Sequence, residues 1–318
     1  MPALPALSCP ACGTSIPGVE PQGKIAAALG FEGCHRRCER CGVGVSNGSD
    51  PQTVTFIYRN PLDNIPAPSR DGALETLGKA LNLRNRSSKI QKFGFSTSED
   101  AVTWVVFTYL LSSGRLMQAL QAIGLPASAD PQSRPRLLFW GVPVHGEGQS
   151  AELRRKLEEM CVKLGEDRQS FSEPDVIIGV GKDELMFIEV KHRSGHDTKP
   201  PSYPGWDRYL PADASLWDAE AVRQSGLYEL ARNWRLLHAL EGTRRATLVN
   251  LGPRNLFDGR TNSSLERFVA ALRTGEHARF IKAVWPDLLR DVVKDAPEWF
   301  VQFCALRGLL DDAAPSGL

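Results

Sequence analysis

A chain of 318 residues, 42% hydrophobic and 24% charged, is long enough to bury a full core and reads as one large domain plus a small one. Its 38 Lys and Arg nearly balance 37 Asp and Glu, for a formal net charge of +1, so composition excludes a globally basic nucleic-acid binder and any basic surface must come from local clustering. No apolar run approaches the ~18 residues of a membrane span, and MPALPALSCP lacks the charged and apolar regions of a secretory signal, so a soluble, cytoplasmic protein is expected.

The N-terminal segment carries Cys9-Pro-Ala-Cys12 and Cys34-His-Arg-Arg-Cys38-Glu-Arg-Cys41. This clustering points to metal ligation in a reducing compartment rather than to disulfides. The knuckles Cys9/Cys12 and Cys38/Cys41 have the spacing of a zinc ribbon over residues 1–48, with Gly13 and Gly42 permitting the turns behind them. Four thiolates make a closed, structural Zn²⁺ site. Cys34 competes for the third position, and His35 is a further potential ligand. A disulfide or redox Cys-x-x-Cys is the alternative, but no βαβ pattern surrounds it.

Residues 53–58 read as a strand, and Pro61, Pro66 and Pro68 mark a connector, placed over 49–92 with a basic segment. Lys79, Arg84, Arg86, Lys89 and Lys92 there suit phosphate neutralisation or a solvated helix face. Residues 96–112 form a strong helix, with Ser96-x-x-Glu99 fitting a capping box. Residues 137–144 read as the first core strand. Residues 151–164 read as an amphipathic helix, with Cys161 as a small core residue.

The segment from Ser172 to Lys191 reads as a β-hairpin. Val176, Ile177 and Ile178 form one strand, Gly179, Gly181 and Asp183 supply turn chemistry, and Leu185 to Val190 form the second. Alternation sends Glu189 and Lys191 to one face and Ile188 and Val190 to the other. Asp175 enters at the start of the neighbouring strand. Two carboxylates and an amine thus converge at a sheet edge, where packing has no use for them. Mg²⁺ (or Mn²⁺) needs only one or two carboxylates plus water and substrate oxygens, and a nearby Lys can serve the attacking water.

Pro174-Asp175, a hairpin-length spacer and Glu189-Val190-Lys191 resemble the PD-(D/E)xK, or restriction-endonuclease-like, nuclease superfamily. The resemblance implies that Asp175 and Glu189 hold the catalytic metal, that Val190 lends its backbone carbonyl, and that Lys191 serves the attacking water. It also implies an extra acidic residue from a preceding helix. Glu99 is the candidate, against simple capping, with Glu152 or Glu158 as alternatives. Gln224-x-x-x-Tyr228, on an expected helix over 218–240, resembles the Gln-x-x-x-Tyr of RecB-like nucleases, and four-residue spacing would put both side chains on one helical face. Towards the C-terminus Cys304 stands alone, which gives no set for the iron–sulfur cluster that some of those enzymes carry.

Residues 194–217 form a Pro- and aromatic-rich loop whose Tyr203, Trp206, Tyr209 and Trp217 suit base stacking or a satellite core. His192 and His196 read as solvent-facing turn residues. Residues 246–251 read as the last core strand, followed by helices over 263–273, 278–293 and 297–310 and a frayed tail from Asp311. The expected fold is α/β: a restriction-endonuclease-like mixed sheet of about four or five strands flanked by helices (93–260), with a helical C-terminal extension over 261–318. The expected function is Mg²⁺-dependent DNA hydrolysis, on double- or single-stranded DNA, with a protein partner available to the ribbon. The alternative is a catalytically silent DNA-binding or adaptor module.

Overall fold

A computed structural model describes residues 4–20, 26–48, 54–126, 134–144, 149–210, 215–274 and 278–311. Thr53, Pro211 and the tail beyond Asp311 lie outside the described residues. The N-terminal lobe is built from two-residue strands. β1 (Leu7–Ser8) pairs with β2 (Ser15–Ile16), and β3 (Arg36–Arg37), β4 (Gly44–Val45) and β5 (Phe56–Ile57) form an antiparallel sheet. So little sheet buries little apolar surface. The lobe closes instead over Leu7, Cys9, Ile16, Cys38 and Val45.

The chain then forms α1 (Ala73–Gly78), α2 (Arg86–Phe93), α3 (Glu99–Ser112) and α4 (Leu116–Ala122). The expected connector is therefore no linker: β5 belongs to the lobe, and Ala73, Leu77 and Phe93 sit in the main core. Ser98 caps α3, accepting the Ala101 N–H at 3.2 Å. Ser96 instead accepts the Phe56 N–H at 2.9 Å. The expected capping box is not formed, and Glu99 is left for other work.

Next come β6 (Arg136–Phe139), β7 (Val142–Pro143), α5 (Gln149–Lys163), β8 (Val176–Val180), β9 (Glu184–Val190), α6 (Trp206–Tyr209), α7 (Ala219–Ser225), α8 (Tyr228–Glu241), β10 (Arg245–Gly252), α9 (Gly259–Ala271), β11 (Ala278–Val284), α10 (Trp285–Leu289) and α11 (Glu298–Leu306). The expected single strand over 137–144 is a hairpin. Trp140 (φ 48°) and Gly141 (φ 75°) both turn left-handed between β6 and β7, as a two-residue hairpin loop requires. The expected helix over 278–293 begins instead as β11, a parallel partner of β10, and only from Trp285, with Pro286 in its first turn, does α10 follow.

The result is a six-stranded mixed sheet in the order β11-β10-β9-β8-β6-β7. β9, β10 and β11 run parallel, whereas β8 is antiparallel to β9. Strand alternation gives the sheet two buried faces. Val176, Ile178, Met186, Ile188 and Val190 pack with α3, α4, α10 and α11. Ile177, Leu185, Phe187 and Leu248 pack with α5 through α9. This three-layer α/β arrangement matters for function because polar residues on the second face, at one end of β8, β9 and β10, become the floor of a cavity. Among the described residues no helix is long and apolar enough to cross a membrane.

Candidate active site

Register brings the hairpin residues together. Val176 faces Ile188, so one step further Asp175 stands beside Glu189, and on the other flank Glu189 faces Asn250 of β10. Asp175 Oδ2 accepts the Val190 N–H at 2.8 Å, which fixes the carboxylate at the strand end. Lys191 Nζ donates to Glu189 Oε1 at 2.9 Å and to Glu229 Oε2 at 3.0 Å. Glu189 and Lys191 are only 4% and 7% exposed, so the pair stands only because its charges are matched at hydrogen-bonding distance.

Helix α8 supplies the partners that the sequence reading missed. Glu229 and Asn233 are four residues apart on one helical face, and Asn233 Nδ2 donates to Glu189 Oε2 at 2.7 Å. Glu189 thus has both oxygens satisfied, by Lys191 and Asn233. Both are ordinary members of a mixed helix that also carries Arg232, Arg235 and His238, so no local signal singles them out.

Glu99, at the first turn of α3, accepts the His192 N–H at 3.0 Å and the Ser194 hydroxyl at 2.5 Å, tying that helix to the chain just after Lys191. His192 and His196 are not solvent-facing. His192 is buried against the Arg307 carbonyl at 2.7 Å, and His196 Nε2 lies 2.9 Å from Asn250 Oδ1.

The electrostatics follow from burial and charge. Burial pushes the Asp175 carboxyl well up, and the neighbouring Glu189 charge adds to that. Burial also works against Glu189, but the cations of Lys191 and Arg232 outweigh it and hold its pKa down. Burial opposes the Lys191 charge, yet Glu189, Glu229, Glu99 and Asp175 together raise its pKa. Glu99 is raised, chiefly by burial. The site thus favours the Lys191 charge and disfavours the charges of Asp175 and Glu99.

These groups line a cavity of about 1000 Å³ that also takes in Tyr228 and, at its margin, Lys92, Arg193 and Arg208. Tyr228 packs its ring edge-on against Tyr203, Trp206 and Tyr209, and Trp206, Tyr209 and Trp217 are buried, so the loop aromatics form a satellite core. Gln224 is elsewhere. It lies in the last turn of α7, is exposed and donates to Glu220 at 2.7 Å, while Gly226 (φ 76°) stops that helix before Tyr228 opens α8. Gln224 and Tyr228 therefore do not share a helical face. Glu152 and Glu158 pair with Lys156 and Arg154 on α5 at 2.8 and 2.9 Å, away from the cavity.

The basic segment is mostly neutralised internally. Lys79 pairs with Glu75, Arg84 with Asp167, and Lys89 with Glu173, while Arg86 donates to the Ala80 carbonyl. Of these cations, Lys89 and Lys92 face the cavity.

In the N-terminal lobe the Sγ atoms of Cys9, Cys12, Cys38 and Cys41 all lie within 4.8 Å of one another, with Cys9–Cys41 at 3.4 Å and Cys12–Cys38 at 3.5 Å. A tetrahedral site with Zn–S near 2.3 Å spaces its sulfurs by about 3.8 Å, so the four could bind a metal ion such as zinc. Cys34 is not among them: it is buried, 3.7 Å from the Gly30 carbonyl, and a Cβ at Gly44 would meet its sulfur at 2.7 Å. His35 is exposed and engages Asn47 through its backbone. Among the described residues the four cysteines are the one His, Cys, Asp or Glu group of three or more that is so tightly gathered. Asp175 and Glu189 are a pair.

No protein-family model, curated protein or solved structure matches this chain.

Proposed function

We propose that this chain is a Mg²⁺- or Mn²⁺-dependent nuclease of the PD-(D/E)xK type that hydrolyses DNA phosphodiester bonds. The observation that carries the reading is the placement of Asp175 beside Glu189, with Lys191 held on the same face, at the floor of one cavity. Asp175 accepts one N–H, from Val190, while its charge is disfavoured by burial and by its neighbour, which a bound cation would relieve.

The donor set fits a hard cation. Mg²⁺ takes oxygen ligands and keeps several waters, so one or two carboxylates suffice. Asp175 and Glu189 would hold it. Such an ion supplies Lewis acidity at the phosphate and a water of lowered pKa. The chain's own groups do the rest. Lys191 spends two of its three N–H bonds on Glu189 and Glu229, leaving one to orient the attacking water or a phosphate oxygen. Anchored at 2.9 and 3.0 Å by Glu189 and Glu229, it is positioned to donate a hydrogen bond there. Asn233 fixes the Glu189 rotamer, Glu99 fixes the backbone after Lys191, and Lys92, Arg193 and Arg208 offer phosphate contacts at the margin. In the same reading Cys9, Cys12, Cys38 and Cys41 hold a structural Zn²⁺, and the lobe helps to hold nucleic acid or a protein partner.

One observation favours a second reading. Glu189 is fully hydrogen-bonded within the chain, as in a nuclease-like DNA-binding module that does not cut. Incubation with supercoiled, linear and single-stranded DNA, with and without Mg²⁺, separates the two. Cleavage that needs Mg²⁺ supports the nuclease, and binding without cleavage supports the module.

A further inference from the structure

Three cavities meet at one turn of chain. Arg193 lines the cavity of about 1000 Å³ that holds Asp175 and Lys191, a groove of about 650 Å³ between the four-cysteine lobe and α11, and a third hollow of about 540 Å³ that also contains Arg307. Arg193 is exposed and makes no ion pair among the described residues. It follows Lys191 by two residues, so a polymer whose phosphate sits at Lys191 meets Arg193 next.

The groove beyond has a particular composition. Its lobe side is formed by the cysteine knuckles, through Pro10 and Cys41. Its other walls present Tyr58 and Trp299, both half-buried, and Phe303 with the Arg307 guanidinium 5.3 Å from its ring. Arg307 is engaged by Ser96 and Asn64, which leaves the exposed Arg193 as the cation beside the Tyr58 and Trp299 rings, and flat rings with a nearby cation suit unpaired bases and their backbone.

We propose that the substrate is single-stranded DNA, threading from the Asp175–Lys191 cavity past Arg193 into the groove between the four-cysteine lobe and α11, where Tyr58 and Trp299 stack on its bases. This rests on the nuclease reading above and narrows its substrate. Two features favour a single strand over a duplex. Glu189 and Lys191 are 4% and 7% exposed, at a cavity floor that a flexible backbone can enter, whereas a duplex keeps its phosphates on a stiff cylinder. The base faces that Tyr58 and Trp299 would cover are already stacked inside a duplex.

The test is fluorescence anisotropy of labelled oligothymidylate and of its duplex with oligoadenylate, without added divalent metal and without chelator. Wild type is compared with Tyr58→Leu, Trp299→Leu and the exposed Arg193→Ala. Oligothymidylate is expected to bind more tightly than the duplex, and each ring replacement to weaken it about tenfold, the size of one lost stacking contact. Arg193→Ala should weaken binding and flatten its salt dependence. Equal or tighter binding of the duplex, or wild-type affinity in both ring variants, would overturn the proposal. Binding is read without cleavage, so the two readings fail separately. A protein that grips oligothymidylate through Tyr58 but cuts nothing contradicts the nuclease, while one that cuts duplex and ignores Tyr58 contradicts the strand path.

Discussion

Asp175 and Glu189 stand side by side across the β8–β9 pair, yet their surroundings treat them oppositely. Glu189 is held by Lys191 and Asn233, while Asp175 receives one backbone N–H and faces the Glu189 charge. Replacing them should therefore move stability in opposite directions. Asp175→Asn keeps an acceptor for Val190 and removes a disfavoured charge, so at neutral pH its thermal midpoint should rise by a few degrees. Glu189→Ala strips Lys191 and Asn233 of a buried partner and should cost about 3 kcal/mol. Thermal and denaturant unfolding of the two variants checks both signs.

Gln224 and Asn233 make a contrasting pair. Gln224 is exposed and bonded to Glu220, so Gln224→Ala should leave cleavage unchanged and stability within about 0.5 kcal/mol. Asn233→Ala should slow cleavage about 10–100-fold, the usual loss when a group that orients a metal-binding carboxylate is removed. Cleavage rates of the two variants under one Mg²⁺ concentration decide the matter.

What the sequence made legible was the hairpin, because two apolar strands with a Gly-rich turn leave little choice of register, and register alone aligns Asp175, Glu189 and Lys191. The cysteine knuckles were equally plain, since their spacing is set by the turn each must make. What the sequence leaves hidden depends on chain stops and tertiary contacts. Gly226 ends α7 between Gln224 and Tyr228, and a single glycine inside a helical pattern does not by itself announce a stop. β11 looked helical because ARFIKAV runs without a break into α10, although Pro286 marks where the helix begins. Glu229 and Asn233 carry no local motif; they matter only because α8 packs on the face that bears Glu189. His192 looked like a turn residue, and only the packing of Arg307 over it makes it a buried group.

That burial has a pH signature. Burial pulls the His192 pKa down to about 4 in the folded chain, against about 6.5 when unfolded. Between those values the unfolded chain binds the extra proton, so stability is full above pH ~6.5 and falls as the pH drops towards 4. His192 alone should account for a loss of about 3 kcal/mol over that window. His192→Asn should flatten this part of the stability profile, read by denaturant unfolding at stepped pH.

The four-cysteine lobe closes over a small core, so a metal bound by its cysteines would stabilise it. Purified protein should carry one zinc per chain by metal analysis. Cys9→Ser with Cys12→Ser should lose it and expose residues 4–48 to protease, leaving the six-stranded sheet folded by circular dichroism.

The most direct measurement is DNA cleavage across a Mg²⁺ titration by wild type, Asp175→Asn and Lys191→Met, each first shown to be folded. Asp175 and Lys191 act at one site in this account, the first as a ligand and the second as the donor that orients water. Wild type should cut only with Mg²⁺, and each variant should lose on the order of 10²–10⁴ in rate. A folded Lys191→Met or Asp175→Asn protein that cuts at the wild-type rate would contradict the account.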